Sequence, residues 1–464
     1  MAVFTAMQIA RAAGGRVARG REGMEASGVS TDSRTLAPGE LFIPLVGPNF
    51  DGHDFAERAV AAGAAGVLVQ RGRALPRAGE VFVIEVEDTL RALGDLARFH
   101  RERHEVSVVV VTGSNGKTTT KEMIASILAQ GAETLKSEGN LNNLVGLPHQ
   151  VLRLLPEHTR AVFEMGMNQP GEIRRLAWIA LPQIGVITNV APAHLEGLGS
   201  IEAVREAKGE LLEGMGARGR AALSADDPHS RLLAERFRQA GGEVLTFGLA
   251  EDSKVRGEAI RVSAREGTRF LLHIGGRRVA VRLPGLGRHN AQNALAAAAA
   301  ASLAGCSVEE VVRGLERAEL LKMRLEVRAL PRREGCFLID DAYNANPASV
   351  LQALETAVHL RGEGRLFAVL GDMKELGAFD MDAHREVGRA AARTADCFAG
   401  VGPMMRHAVE EARRTGLAAD RARHFGEPAE AASWVAGCLR PGDWVLVKGS
   451  RSMRMERASE ALEG

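Results

Sequence analysis

Residues 107–128 read SVVVVTGSNGKTTTKEMIASIL, and the fold is decided there. A serine and four valines with no polar alternation make a strand buried on both faces, as in a parallel sheet. Gly113 and Gly116 follow in a turn where the backbone must approach a neighbour closely. Lys117 and Thr118 then open a helix whose apolar Met123, Ile124, Ile127 and Leu128 share roughly one face. Strand, glycine turn and helix N-terminus together form a phosphate cradle, because free N–H groups and the helix dipole both favour an anion there. Lys117 is placed to reach the β- and γ-phosphates, and the Thr118 hydroxyl to hold Mg²⁺. The usual Walker A loop has four residues between its glycines. Here Val111 stands in the first glycine's place and the loop reads Thr112-Gly-Ser-Asn-Gly-Lys-Thr. A bare GKT is common by chance. GxxGKTTT between an apolar strand and an amphipathic helix is much rarer, the alternative being a glycine turn before an ordinary helix.

The chain has 464 residues, too many for one small domain. Its 45% hydrophobic and 25% charged residues are those of a soluble globular protein. A net charge of +1 provides no global field for nucleic acid or anionic membrane, so any anion site is local. No apolar run reaches the length of a membrane span. Arg11, Arg16 and Arg19 interrupt any signal-peptide core. Cys306, Cys336, Cys397 and Cys438 are widely spaced and make no metal motif, which suits free thiols in a reducing cytoplasm.

Residues 1–104 read as a small α/β domain, with a helix over 7–13, strands over 41–46 and 66–70, and a helix over 55–65. Its loops carry Thr31, Asp32, Ser33, Arg34 and Asn49, Asp51, Gly52, His53, which suit a polar ligand. Read alone, the same residues are ordinary turn chemistry, and that is the simpler account. Residues 105–320 form a second, parallel-sheet domain around the cradle. Asn140, Asn142 and Asn143 exceed what a turn needs, and their amides suit a polar substrate or its phosphates. Strands over 160–166 and 183–190 bring Glu164 and His194 to the carboxyl rim of the sheet, beside the cradle. Glu164 there suits Mg²⁺. Lys208, on a helix over 201–215, would repel Mg²⁺ unless chemically altered. Residues 270–283 read as a hairpin about Gly275-Gly276. Residues 285–293 open an alanine-rich helix and could read a base. Residues 321–464 alternate again as a doubly wound, Rossmann-like domain without a glycine fingerprint. Its strand ends carry DDAYNANP (340–347), GDMKELG (371–377) and KGSRSMRME (448–456), and their convergence on one rim points to a binding site.

Taken together, GSNGKTTT, GNLNN, the strand glutamate, the late histidine, EAKGE, GRHNAQN and a strand ending in Asp resemble the Mur ligases of peptidoglycan synthesis. The matches run from the first domain to Arg454. YNANP, GDMKELG and KGSR most resemble the members that add D-alanyl-D-alanine. The Asp-Asn-Pro-Arg signature of the members that add the third residue is missing. The resemblance implies an ATP-dependent ligase joining D-alanyl-D-alanine to UDP-N-acetylmuramoyl-tripeptide through an acyl phosphate, with ADP and phosphate released. It implies a cytoplasmic monomer, with no nucleic-acid partner and no membrane insertion. It implies that Gly113, Ser114, Asn115, Gly116, Lys117, Thr118 and Thr119 hold the phosphates, that Asn293 bonds adenine, and that Arg324 and Asp341 meet phosphate and ribose across a cleft. A pair of Mg²⁺ sites is implied, on Thr118, Glu164, His194 and a carbamylated Lys208; Lys117, Glu164, His194 and Lys208 are the expected catalytic set. Thr31 to Arg34 and the loop 49–53 match the uridine-nucleotide site, against the turn-chemistry reading. Asn142 and Asn143 are expected to face substrate. Asn344, Asn346, Lys448, Ser450 and Arg451 are candidates for the dipeptide and its carboxylate, which an arginine fork suits. Leu144 stands where an acid is expected, which touches only local contacts.

Rivals remain on the residues alone. A folylpolyglutamate synthase-like enzyme shares the chemistry but not a uridine-nucleotide domain. A P-loop switch or transport ATPase would carry a base-specifying motif or a Walker B strand; FLIDD (337–341) looks like the latter but lies in what reads as another domain. A non-catalytic nucleotide-binding module needs none of Glu164, His194 or Lys208.

Overall fold

A computed structural model describes residues 3–77, 79–319 and 321–464. Its centre is the strand Ser107–Thr112, buried except at its first residue. Parallel neighbours Arg160–Glu164 and Ile184–Ile187 flank it in a nine-stranded sheet. The valine run has no polar face because helices cover both sides. On one side lie Lys117–Leu128 and Arg288–Leu303, packed together. The alanines of the latter helix are fully buried from Ala296 to Ala301, since small side chains let the two helices and the sheet approach closely. On the other side Ile201–Met215 and Glu172–Ala180 pack against each other.

The expected hairpin is present as Gly267–Ile274 and Arg277–Leu283, turned by Gly275 and Gly276, both at positive φ. The strand Val255–Ser263 joins it to the parallel part, and was not read from the sequence. It is half-exposed and bulged between Glu258 and Arg261, so its alternation is broken.

The first domain holds a five-stranded sheet, parallel except for its edge strand Arg16–Arg19. The strand expected over 41–46 is only Leu41–Phe42, because Pro44 cannot donate to a ladder. The helix expected over 55–65 is Ala56–Ala61, entered through a 3₁₀ turn Gly52–Phe55 and ended by Gly63 at φ 95°. One continuous core runs from Phe4 and Ile9 through Leu93 and Leu96 to Phe163 and Leu211. The first domain and one face of the central sheet are therefore packed as a single body.

The third domain is a six-stranded sheet, parallel except for Glu326–Ala329, with helices on both faces. Phe337–Asp341, Cys397–Val401 and Trp444–Lys448 stand as the apolar runs predict. Large clusters of its own fill the two faces. The protein therefore has the three-domain α/β architecture expected.

Candidate functional site

The carboxyl ends of the central and third sheets face each other across a cleft of about 1250 Å³. Sheet geometry creates this meeting: loops leaving parallel strands all open on the same edge. Ser114, Asn115, Gly116, Lys117, Thr118 and Thr119 line it. Gly116 caps the helix at φ 79°, and a Cβ there would overlap Asn293 Oδ1. Gly113 does not line the cleft. A Cβ on it would overlap the Thr188 hydroxyl, and its carbonyl accepts Lys117 Nζ at 2.9 Å. The Ser114 hydroxyl is engaged with Ala191 and its N–H donates to Asn189 O at 3.0 Å, so both are spent inside the protein. Asn189, unread in the sequence, accepts the Asn115 N–H on its side-chain oxygen at 3.0 Å.

Glu164 is 2% exposed. Its Oε1 accepts Asn142 Nδ2 at 2.7 Å, while Oε2 is buried with no hydrogen-bond partner among the described residues. A buried carboxylate oxygen left bare is costly unless something positive meets it. Burial lowers the pKa of Lys117, and Glu164 opposes that shift. Lys208 is 1% exposed; its Nζ donates to Met167 Sδ at 3.8 Å. Burial, then the charge of Lys117, pushes its pKa well below the ordinary lysine value. Asn143 uses its oxygen to cap Val145 and Gly146, though it lines the cleft with Asn142.

The third domain reaches over the cradle. Arg324 Nη2 donates to Thr118 Oγ1 at 3.3 Å, with its guanidinium 4.3 Å over the ring of Tyr343. Asn346 Nδ2 donates to Asn115 Oδ1 at 2.6 Å. His194 Nδ1 lies 2.7 Å from Glu375 Oε2, and that imidazole holds the Glu375 pKa below the ordinary carboxylate value. Asp341 accepts Leu325 N and Lys448 Nζ, the latter at 2.6 Å. On the other wall Asn293 donates to Asn290, and His289 is pushed down to about 4 by burial.

Several expected ligand contacts are spent inside the protein. Lys448 Nζ is held by Asp341 and the Asn344 carbonyl, and the Ser450 hydroxyl by Ala345 O and Lys374 N. Asn346 caps the helix Pro347–Leu360 as well as bridging to Asn115. These three line the cleft but act first as scaffolding. Asn344 is exposed there, and Arg451 is half-exposed beside Glu456. The eight first-domain residues do not line the cleft. Asp51 bonds His53, His53 accepts the Gln70 N–H, Asp32 is held down to about 2 by Arg34, and Thr31 lies 3.2 Å from His149 of the central domain. Ser33 and Gly52 are buried, and Asn49 is exposed. Glu375, Tyr343, Asn189 and His289 line the cleft and were not singled out from the sequence. Each sat inside a quoted motif or strand end, but nothing local says which member of GDMKELG points inward.

The chain matches the Mur ligase middle domain over residues 111–301. It matches the Mur ligase glutamate ligase domain over 323–451 and the Mur ligase family catalytic domain over 25–101. It is 38% identical to the UDP-N-acetylmuramoyl-tripeptide–D-alanyl-D-alanine ligases of Bacillus subtilis and Escherichia coli, over 94% of this chain and 93% of each relative. The chain belongs to the Mur ligase family. A crystal structure of MurF from Acinetobacter baumannii superposes with TM-score 0.91 at 33% identity, covering all of both chains. The MurF ligase of Thermotoga maritima, solved in complex with ADP, superposes with TM-score 0.83 at 28% identity, over 94% of this chain and 96% of that one. In this Mur ligase the loop between Ser107–Thr112 and Lys117–Leu128 lines a cleft that residues of the third domain line as well.

Proposed function

We propose that this chain is the ligase that joins D-alanyl-D-alanine to UDP-N-acetylmuramoyl-tripeptide with ATP, in peptidoglycan precursor synthesis. The observation that carries it is likeness along nearly the whole length, first domain included, to relatives with this activity. ATP use is supported by the cradle and by the ADP-bound relative.

A carboxylate is a poor electrophile. In this reading a carboxylate oxygen of the tripeptide attacks the γ-phosphorus and ADP leaves. The dipeptide amine then attacks the acyl carbon, phosphate leaves, and the ammonium proton passes to solvent or a basic group. Phosphoryl transfer needs positioning and charge neutralisation above all. Lys117 and the helix N-terminus bind the phosphates, Arg324 closes on them from the third domain, and Asn293 receives adenine beside Gly116, with Asp341 toward the ribose. Closure of the third domain excludes water.

The residues fit magnesium. Glu164 Oε2 is a bare buried oxygen, Thr118 offers a hydroxyl, and hard oxygen donors suit this ion. Thr118, Glu164 and His194 would hold it, and bound there it would offset charge on the phosphoryl oxygens. Lys208 joins that set only as a carbamate. Its buried amine favours the neutral form, which can attack CO₂ with loss of a proton and become an anionic oxygen donor.

Residues 1–104 are assigned to the uridine nucleotide, with Thr31 to Arg34 and the loop 49–53 as its contacts. Residues 105–320 are assigned to ATP, with Asn142 and Asn143 toward the acceptor carboxylate. Residues 321–464 are assigned to the incoming dipeptide and part of the ATP, with Asn344 and Arg451 as candidates to meet the dipeptide. The protein acts as a monomer in the cytoplasm, where ATP and UDP-linked precursors are available. Among the described residues no helix is long and apolar enough to cross a membrane. The test is phosphate release with UDP-muramoyl tripeptide, with and without D-Ala-D-Ala. Release that depends on both is expected; release indifferent to the dipeptide rejects the reading.

A further inference from the structure

Lys121 lies one helical turn beyond Lys117, yet it does not line the cleft. It is fully buried, with its Nζ 2.6 Å from Ser137 O and 2.8 Å from Glu122 Oε1. The other Glu122 oxygen takes Lys136 Nζ at 2.6 Å. A buried lysine is rare unless paired, and a residue that only packed the helix would be apolar at far lower desolvation cost. Its grip falls where the sheet runs out. The edge strand Thr134–Lys136 pairs with Arg160–Glu164 only as far as Lys136 opposite Val162. Beyond that, Ser137 N donates to Val162 O at 3.0 Å and Ser137 Oγ accepts Glu164 N at 3.1 Å. A hydroxyl thus continues the ladder by one rung. A few residues on, Asn142 donates its amide to Glu164 Oε1 and its carbonyl accepts Gly166 N at 2.9 Å. Segment 137–142 therefore wraps Glu164 on backbone and side chain, and Lys121 anchors its start.

We propose that Lys121, acting through Ser137, is a positioning residue that fixes the aim of the free Glu164 oxygen. This rests on Glu164 as a magnesium ligand. A partner bonded to the ligating carboxylate itself, here Asn142, typically governs metal affinity by 10–100-fold, and Lys121 and Ser137 act a step further out, through the backbone that carries Glu164 and Asn142, so the low end of that range is expected of them. Lys121→Met removes the grip on Ser137 O and leaves Glu122 paired with Lys136. Ser137→Ala removes only the rung to Glu164.

Mn²⁺ is the probe, its binding in the presence of ADP followed by electron paramagnetic resonance, with ADP affinity measured separately in chelator. Expected is a rise of about tenfold in the Mn²⁺ dissociation constant for both variants. Metal-free ADP affinity should stay within about twofold, since Lys117 and the loop N–H groups are untouched. Mn²⁺ affinity unchanged in both, with only a lowered melting temperature, would overturn the proposal and leave Lys121 as a fold clamp. Should Lys121→Met not fold, Ser137→Ala carries the test alone. Wild-type protein whose Mn²⁺ binding is indifferent to ADP would instead reject the reading of the metal site, and the proposal with it.

Discussion

Replacing Gly116 by alanine tests the cradle at the position where its backbone is most demanding. Gly116 sits at φ 79°, and the left-handed region costs a non-glycine residue about 1–2 kcal/mol. The added Cβ would also overlap Asn293 Oδ1. Asn293 must then swing away and lose its bond to Asn290, at a further cost of about 1 kcal/mol. The sum is about 2–3 kcal/mol. The free loop can relax out of this strain, so the cost falls on nucleotide binding, which must restore the cradle. At 1.4 kcal/mol per tenfold, the affinity for a non-hydrolysable ATP analogue with Mg²⁺ should fall by roughly 30-fold or more. Titration calorimetry measures it. The cycle with Asn293→Ala separates the two causes. If the amide is the obstacle, the double variant loses less than the sum of the singles, and the remaining loss reflects the left-handed backbone alone. An affinity within about twofold of wild type for Gly116→Ala would refute the argument, because a loop indifferent to that strain is not what grips the phosphates.

Lys208→Ala is expected to be nearly inactive and to recover part of its turnover with a small carboxylate such as formate, measured as phosphate release; full activity without additive would return Lys208 to a packing role. Asn346→Ser keeps a capping side chain on its helix but removes the amide that reaches Asn115. Small-angle scattering with ATP analogue and UDP-tripeptide should then show a larger radius of gyration than wild type, and equal radii count against that bridge as a closure contact. His100, which does not line the cleft, is pushed down to about 4 by burial, against an ordinary value near 6.5. The unfolded chain therefore binds the extra proton between those values, so the stability from neutral His100 is complete above about pH 6.5 and is lost as pH falls toward 4. A drop of that size corresponds to about 3 kcal/mol of stability, and urea midpoints of His100→Gln across that window should be less pH-dependent than those of wild type.

The cradle was readable from letters because all its determinants are local. An apolar run, two glycines and a helix start within ten residues leave the backbone few alternatives. The strand ends of the third domain were readable for the same reason, as unbroken apolar runs stopped by polar clusters. Local signals failed where burial was partial or pairing was distant. Val255–Ser263 has a broken alternation that only its neighbours make a strand. Lys448, Ser450 and Asn346 are dipeptide candidates through the family resemblance, and only the fold shows that they also bond Asp341, Ala345 and Asn115. The bond of Asn142 to Glu164, the approach of Glu375 to His194 and the grip of Lys121 on Ser137 each join residues well apart in sequence or in different domains. Spacing along a chain limits which groups can be neighbours within one turn or rung. Which groups meet across a sheet edge or a domain cleft is decided by packing, where the choice of partner depends on everything else being in place.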